Sequence, residues 1–193
     1  MAPTSSTTSV DRRRTDTRAA LVRTATGLFR RRGIGTVGVA EICERAGVTK
    51  GVFSHHFPGG KDELVAAVVA ANGAEVRVAL AQTVARDRPT ATVVRSMFDG
   101  YAKAMRSRGC DFGCPVAAAV VDESARSNEH RDAAADAFGE WRQLLATRLP
   151  RAEADLTLAA LEGAILLARA DGDPAVVTRV GRALAALLEA KGE

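Results

Sequence analysis

Ile42-Cys43-Glu44-Arg45-Ala46-Gly47-Val48-Thr49-Lys50-Gly51-Val52-Phe53-Ser54-His55-His56-Phe57 is the stretch that decides how this chain is read. A short amphipathic helix ends at Ala46, the chain turns at Gly47-Val48, and a second short helix starts with Thr49 as its N-cap. Ile42, Ala46, Val48 and Phe53 are spaced to pack the two helices together. Small Ala46 lets them approach, and Gly47 supplies a left-handed turn residue. Two short helices joined in this way are the sequence form of a helix-turn-helix, whose second helix lies in the DNA major groove.

The packing leaves Thr49, Lys50, Gly51, Ser54 and His55 on or near the outward face. Thr49 and the free backbone N–H groups at the helix start can bind a phosphate, and Lys50 adds charge. Gly51 permits close approach, while Ser54 and His55 can donate to phosphate or base edges. Arg45 and Lys61 flank the groove as further phosphate contacts. His55 is expected to face DNA and His56 to be partly buried against the first helix; the alternative is an ordinary pair of surface histidines.

Charge supports the assignment. The 193 residues carry a net +4, unevenly distributed. Residues 1–61 hold 11 Lys or Arg against 4 Asp or Glu, whereas the remainder is net −3. The basic excess therefore sits with the motif, as a phosphate-binding surface requires. Hydrophobic residues at 47% permit a sizeable core, and only 4% aromatics with abundant Ala, Leu, Val and Arg favour helix over sheet.

Outward from the motif the pattern is helical throughout. Residues 1–14, Ser/Thr-rich and ending in Asp11-Arg12-Arg13-Arg14, are expected to form a flexible basic arm, either a free tail or one that touches DNA. Residues 15–60 form the helix-turn-helix domain and 61–193 a helical body. Helices are predicted over about 17–32, 39–45, the stretch after Thr49, 61–84, 89–108, 115–125, 129–149, 151–170 and 173–191. Gly33, Gly35, Pro58, Gly109, Pro150 and Gly172 punctuate them. The fold class is all-α, a three-helix head on a C-terminal helical body, about nine helices in all.

Three cysteines without a visible export signal indicate a reducing compartment, the cytoplasm. No apolar run approaches the roughly 18 residues of a membrane span, so no membrane partner is expected. Enzyme chemistry lacks its signatures: there is no phosphate loop after a strand, no nucleophile–base set and no metal-ligand spacing. No cofactor is expected.

The run Val39 to Gly51, then His55-His56-Phe57 and the lysine-led helix after it, resembles the TetR (tetracycline-repressor-like) family of bacterial regulators. Phe57-Pro58-Gly59-Gly60-Lys61-Asp62-Glu63-Leu64, with Gly113-Cys114-Pro115-Val116, is similar to the LmrA/YxaF-like branch. The close match covers residues 17–65. The resemblance implies a homodimer on a double-stranded operator and repression relieved by a small-molecule effector, for this branch plausibly planar and hydrophobic. The family usually carries Tyr where this chain has Ser54, which keeps a hydroxyl but loses reach and ring packing.

The last two helices are apolar on more than one face and must be buried. A two-fold four-helix interface through Leu161, Ala164, Leu167, Val177, Val180, Leu184 and Leu188 is expected, the alternative being a monomer's core. Met97, Phe98, Tyr101, Met105, Phe112, Phe138 and Trp141 are either ordinary core or the lining of an effector pocket, Tyr101 and Trp141 offering polar tips on apolar bodies. Cys110 and Cys114 lack the partners of a metal site; a redox disulfide is a further reading. The favoured expectation is that Cys114 packs inside and Cys110 is incidental.

Overall fold

The computed structural model describes residues 6–122 and 128–192. Among them there are nine α-helices and no strand: α1 Ser6–Arg32, α2 Val39–Ala46, α3 Lys50–His56, α4 Gly60–Val84, α5 Thr90–Arg108, α6 Pro115–Val121, α7 Asn128–Leu145, α8 Arg151–Asp171 and α9 Ala175–Gly192. Most boundaries fall within two or three residues of the sequence expectation.

The start of α1 corrects it. Residues 6–14, expected as part of an arm, are the first turns of the helix; residues 1–5 lie outside the described residues. No Pro or Gly intervenes between Pro3 and Gly27. Once the apolar stretch from Leu21 nucleates the helix, its extension toward the N-terminus meets no strong penalty. α6 is shorter than expected, because Asp122 leaves the helix with extended backbone and its carboxylate accepts the Gly35 amide. Residues 123–125 of that expectation lie outside the described residues.

α1, α2 and α3 close over Leu21, Ala25, Phe29, Ile42 and Phe53, and α4 completes this small core with Leu64 and Val65. α4 then continues into the body, where it packs chiefly against α7, while α5 packs on α9 and α9 on α8. The buried apolar residues form one continuous cluster from Leu21 to Leu184. Trp141 Nε1 donates to the Gly73 carbonyl at 3.0 Å, fixing α7 on α4.

α4 also corrects the expectation about apolar runs: its 25 residues reach a mean hydropathy of 1.6, long and apolar enough to cross a membrane. The reason lies in the packing: α1, α6 and α7 press on one side of this helix, and 39% of that stretch is buried. Glu75 and Arg77 also interrupt its span.

Candidate nucleic-acid interface

Three local devices shape the motif. Gly38 caps α2 with extended backbone, and Gly47 ends it in the left-handed region at φ 68°, its amide reaching back to the last carbonyls. Thr49 then caps α3, its hydroxyl oxygen accepting the Val52 amide at 3.3 Å. Ile42 is fully buried and Phe53 nearly so. Phe53 stacks on Phe57 with centroids 5.5 Å apart, and the Arg18 guanidinium lies 4.9 Å from the Phe57 ring. α3 is therefore anchored by one face.

The opposite face is open. Thr49, Lys50, Gly51, Ser54 and His55 are all exposed, and His56 is half-buried as expected. The hydroxyl hydrogen of Thr49 stays available, because the cap uses only its oxygen as acceptor. Arg45 is exposed but pairs with Glu41 at 3.2 Å, and Glu41 also accepts from Arg32 at 2.7 Å. A phosphate at Arg45 competes with that carboxylate.

Lys61 departs most from its expected role. Its Nζ donates to the Ile34 carbonyl at 2.7 Å, so one of three donors holds α4 against the turn between α1 and α2. Lys61 is thus first a positioning residue for the head.

Residues the sequence did not single out tie body to head. Gly113 donates its amide to the Arg30 carbonyl at 2.9 Å. Arg169 on α8 reaches the Arg30 and Arg31 carbonyls at 3.4 and 3.2 Å. Asp122 accepts from Gly35, and His130, buried in α7, is 2.8 Å from the Asp62 carbonyl. A basic side chain near the end of a body helix was the available signal for Arg169; nothing local marked the others.

The seven aromatic and methionine residues do not converge on one opening. Phe98 and Met105 are fully buried, and Phe98 fills the space left by Gly181, where an added Cβ would collide with the Phe98 Cβ. Trp141 is spent on Gly73, with Phe138 edge-on at 5.2 Å. Phe98, Met105 and Trp141 are core residues, contrary to the pocket reading, because a protein with few large side chains needs them to fill space, and half-buried Phe138 packs against that core. Met97, half-buried, packs against the same core. Tyr101 and Phe112 stay together, 5.8 Å apart, and the Tyr101 hydroxyl is buried with no hydrogen-bond partner.

Beside Tyr101 lies a polar pair. Burial raises the Glu162 carboxyl above its ordinary range, while the hydrogen bond from the Cys114 thiol pulls the other way. Burial and the Glu162 charge push the Cys114 thiol far up, and burial does the same to Tyr101. A lone carboxylate in Leu161-Glu162-Gly163-Ala164-Ile165-Leu166 was the sequence signal for this pair. All three cysteines are free. Cys110 is not incidental: its thiol meets the Gly172 carbonyl at 3.0 Å, so the two loop cysteines face different partners. Among the described residues no group of three His, Cys, Asp or Glu converges as a metal site would require.

The expected dimer residues divide. Ala164, Val177 and Leu184 are buried in the protomer's own core and unavailable to a partner. Leu161, Val180 and Leu188 are half-buried and Leu167 is exposed. Periodicity showed that α8 and α9 are apolar but not how each is turned. Beside Leu167, the large exposed apolar residues of these two helices are Leu156 and Leu166 on α8 and Leu187 on α9.

Residues 21–68 match the family described as bacterial regulatory proteins, tetR family. Residues 90–183 match the C-terminal domain of LmrA/YxaF-like transcriptional regulators. An HTH-type transcriptional regulator of Mycobacterium tuberculosis is 30% identical over 188 residues, spanning 90% of this chain and 95% of the relative. The HTH-type regulator LmrA of Bacillus subtilis is 29% identical over 168 residues, spanning 79% and 86%. Among solved structures, the regulatory protein TetR from Rhodobacter sphaeroides has the same fold, with a TM-score of 0.79 at 23% identity over 86% of this chain and 96% of that one. Reduced NemR from E. coli gives 0.78 at 20% identity over 88% and 95%. A solvent-facing recognition helix on a basic head, with relatives that span head and body alike, places the chain in the TetR family of DNA-binding transcriptional regulators, in its LmrA/YxaF-like branch.

Proposed function

We propose that this regulator is a cytoplasmic repressor that grips a palindromic operator as a homodimer and lets go when a small hydrophobic effector enters its body. The observation that carries the reading is the division of α3 into a buried face at Phe53 and an open face at Lys50, Ser54 and His55. Thr49, Lys50, Gly51, Ser54 and His55 enter the major groove, with Arg45 and Lys61 beside it. Ser54 lacks the reach of an aromatic side chain, so Lys50 and the α3 N-terminus carry more of the phosphate grip.

Pairing follows from the leucines of α8 and α9. Leu166 and Leu187 are 67% and 66% exposed, and covering what remains of each contributes about 1–2 kcal/mol. A two-fold pair would present two recognition helices to successive major grooves, about 34 Å apart. For the effector, the unpartnered Tyr101 hydroxyl beside Cys114 and Glu162 supports a planar molecule carrying one hydrogen-bonding group.

The test is a gel shift on duplexes from around the protein's own gene. Binding to one palindromic fragment should fall steeply as salt rises, by about a thousandfold or more from 50 to 200 mM if six or more phosphates per dimer are contacted. Lys50→Ala should weaken binding across sequences. Salt-insensitive binding, or unchanged affinity of the variant, refutes the assignment of α3.

A further inference from the structure

A cleft of about 430 Å³ opens between α1, α4 and the loop after α5, on the outer side of the junction between head and body. Its walls are Arg23, Arg30 and Arg31 from α1, Asn72 and Glu75 from α4, and Arg108 with Phe112 from the loop side. Four arginines and one carboxylate thus line it.

The arrangement is short of anions. Arg30 and Arg108 lie 4.4 and 5.0 Å from the same Phe112 ring, which draws two positive charges onto one aromatic side chain. Arg30 is largely buried, at 11% side-chain exposure, yet its Nε has no hydrogen-bond partner. Its approach to Glu75, 3.6 Å, is an ion pair beyond hydrogen-bonding distance, and Glu75 is 67% exposed. Buried guanidinium donors left unspent are costly, and planar forks of this kind match carboxylate and phosphate oxygens.

We propose that this cleft is a binding site for a small organic anion bearing a carboxylate or phosphate, held by Arg30 and Arg108 between head and body. Its volume suits a small molecule. An operator phosphate is the wrong occupant: Asn72 lies eleven residues along α4 from Lys61, about 16 Å at the helical rise. Tyr101 is not among the residues that line this cleft, although its ring meets Phe112 at 5.8 Å.

The test uses the full-length protein without DNA, so its outcome does not depend on the operator reading. Inorganic phosphate and benzoate are titrated separately by calorimetry and by thermal shift, against sodium chloride at matched ionic strength. Saturable binding of either probe above the chloride control is expected, phosphate alone or benzoate alone telling which oxyanion the forks prefer. Arg108→Ala, at an exposed position, should weaken it about tenfold or more by removing a charge-assisted pair. Glu75→Gln should tighten it, which a folding defect could not do. No saturable binding of either anion to the wild type and to Glu75→Gln, or indifference to both substitutions, overturns the proposal.

Discussion

Moving one methyl group across the α4–α7 interface should leave the protein nearly unchanged, although removing it does not. Gly73 on α4 faces Ala137 on α7, and a Cβ built on Gly73 would lie 2.9 Å from the Ala137 Cβ. That atom is fixed to its helix, so Gly73→Ala forces the helices apart and strains the 3.0 Å bond from Trp141 to the Gly73 carbonyl. Overpacking costs about 1–3 kcal/mol, and replacing Gly by Ala inside a helix returns about 1 kcal/mol. The net loss is therefore about 0–2 kcal/mol. Ala137→Gly alone should cost about 2 kcal/mol, from about 1 of helix propensity and about 0.8 for the buried methyl. In the double variant the propensity terms cancel and the methyl refills its space, so stability should return to within about 1 kcal/mol of wild type. Urea unfolding at one fixed protein concentration reads the wild type and the three variants, the fixed concentration holding any contribution from association constant. A double variant whose loss equals the sum of the two single losses would refute the close seating of α7 on α4. It would also free Trp141 for the pocket role that the packing denies it.

Replacing Glu162 with Gln should raise the melting temperature at neutral pH. Because burial holds this carboxyl above its ordinary range in the folded protein, the native state keeps its proton to higher pH than the unfolded chain. Stability is then lost as pH rises from the unfolded value through the folded one. The advantage of Gln should accordingly vanish near pH 4 and grow toward pH 7 in a thermal-melt series; a constant offset would count against it. Leu187→Glu, on the exposed face of α9, should yield single subunits by sedimentation while leaving the helical circular-dichroism spectrum intact. An unaltered oligomeric state would place the interface elsewhere. Gly47→Ala should cost about 1–2 kcal/mol through left-handed backbone strain alone, because nothing lies within 4 Å of the added methyl. Chemical denaturation checks this, and a neutral result would mean that the turn relaxes.

The helix-turn-helix was legible because all of its signals are local. Gly38, Gly47 and Thr49 each act on the nearest turn of helix, and Ile42 and Phe53 meet across the bend they define. The start of α1 was not legible, since lack of apolar periodicity in residues 6–14 does not by itself mean the absence of a helix. Composition identified α8 and α9 as apolar but could not turn them, so Ala164, Val177 and Leu184 were assigned to the dimer face while Leu156, Leu166 and Leu187 were left out of it. Rarity drew attention to the aromatics, yet rarity equally makes Phe98 and Trp141 the residues that fill the core. The contacts between head and body were invisible for a simpler reason: Gly35 and Asp122 are 87 residues apart, and Arg31 and Arg169 are 138 apart.

Those distant contacts bear on how a body event could reach α3. Leu64 and Val65 of α4 belong to the head's own core, so the head rides on α4 as one packed unit. Beside that continuous apolar packing, the body also holds the head through a few polar contacts. Gly113, Arg169 and Asp122 all grip the backbone of residues 30–35, where α1 ends and the chain turns toward α2. A hydrogen bond contributes about 0.5–1.5 kcal/mol net, and the Arg169 bonds at 3.2 and 3.4 Å are long. The whole grip is therefore worth a few kcal/mol, on the order of the 1–3 kcal/mol typical of coupling between two sites. An apolar joint of the same extent would be harder to shift, because it releases its free energy only when the surfaces part. A polar clamp can exchange one partner for another as α6 and α8 move. Phe112, Cys114 and Glu162 lie on that same loop and helix, so whatever satisfies Tyr101 acts next to the residues that hold the head.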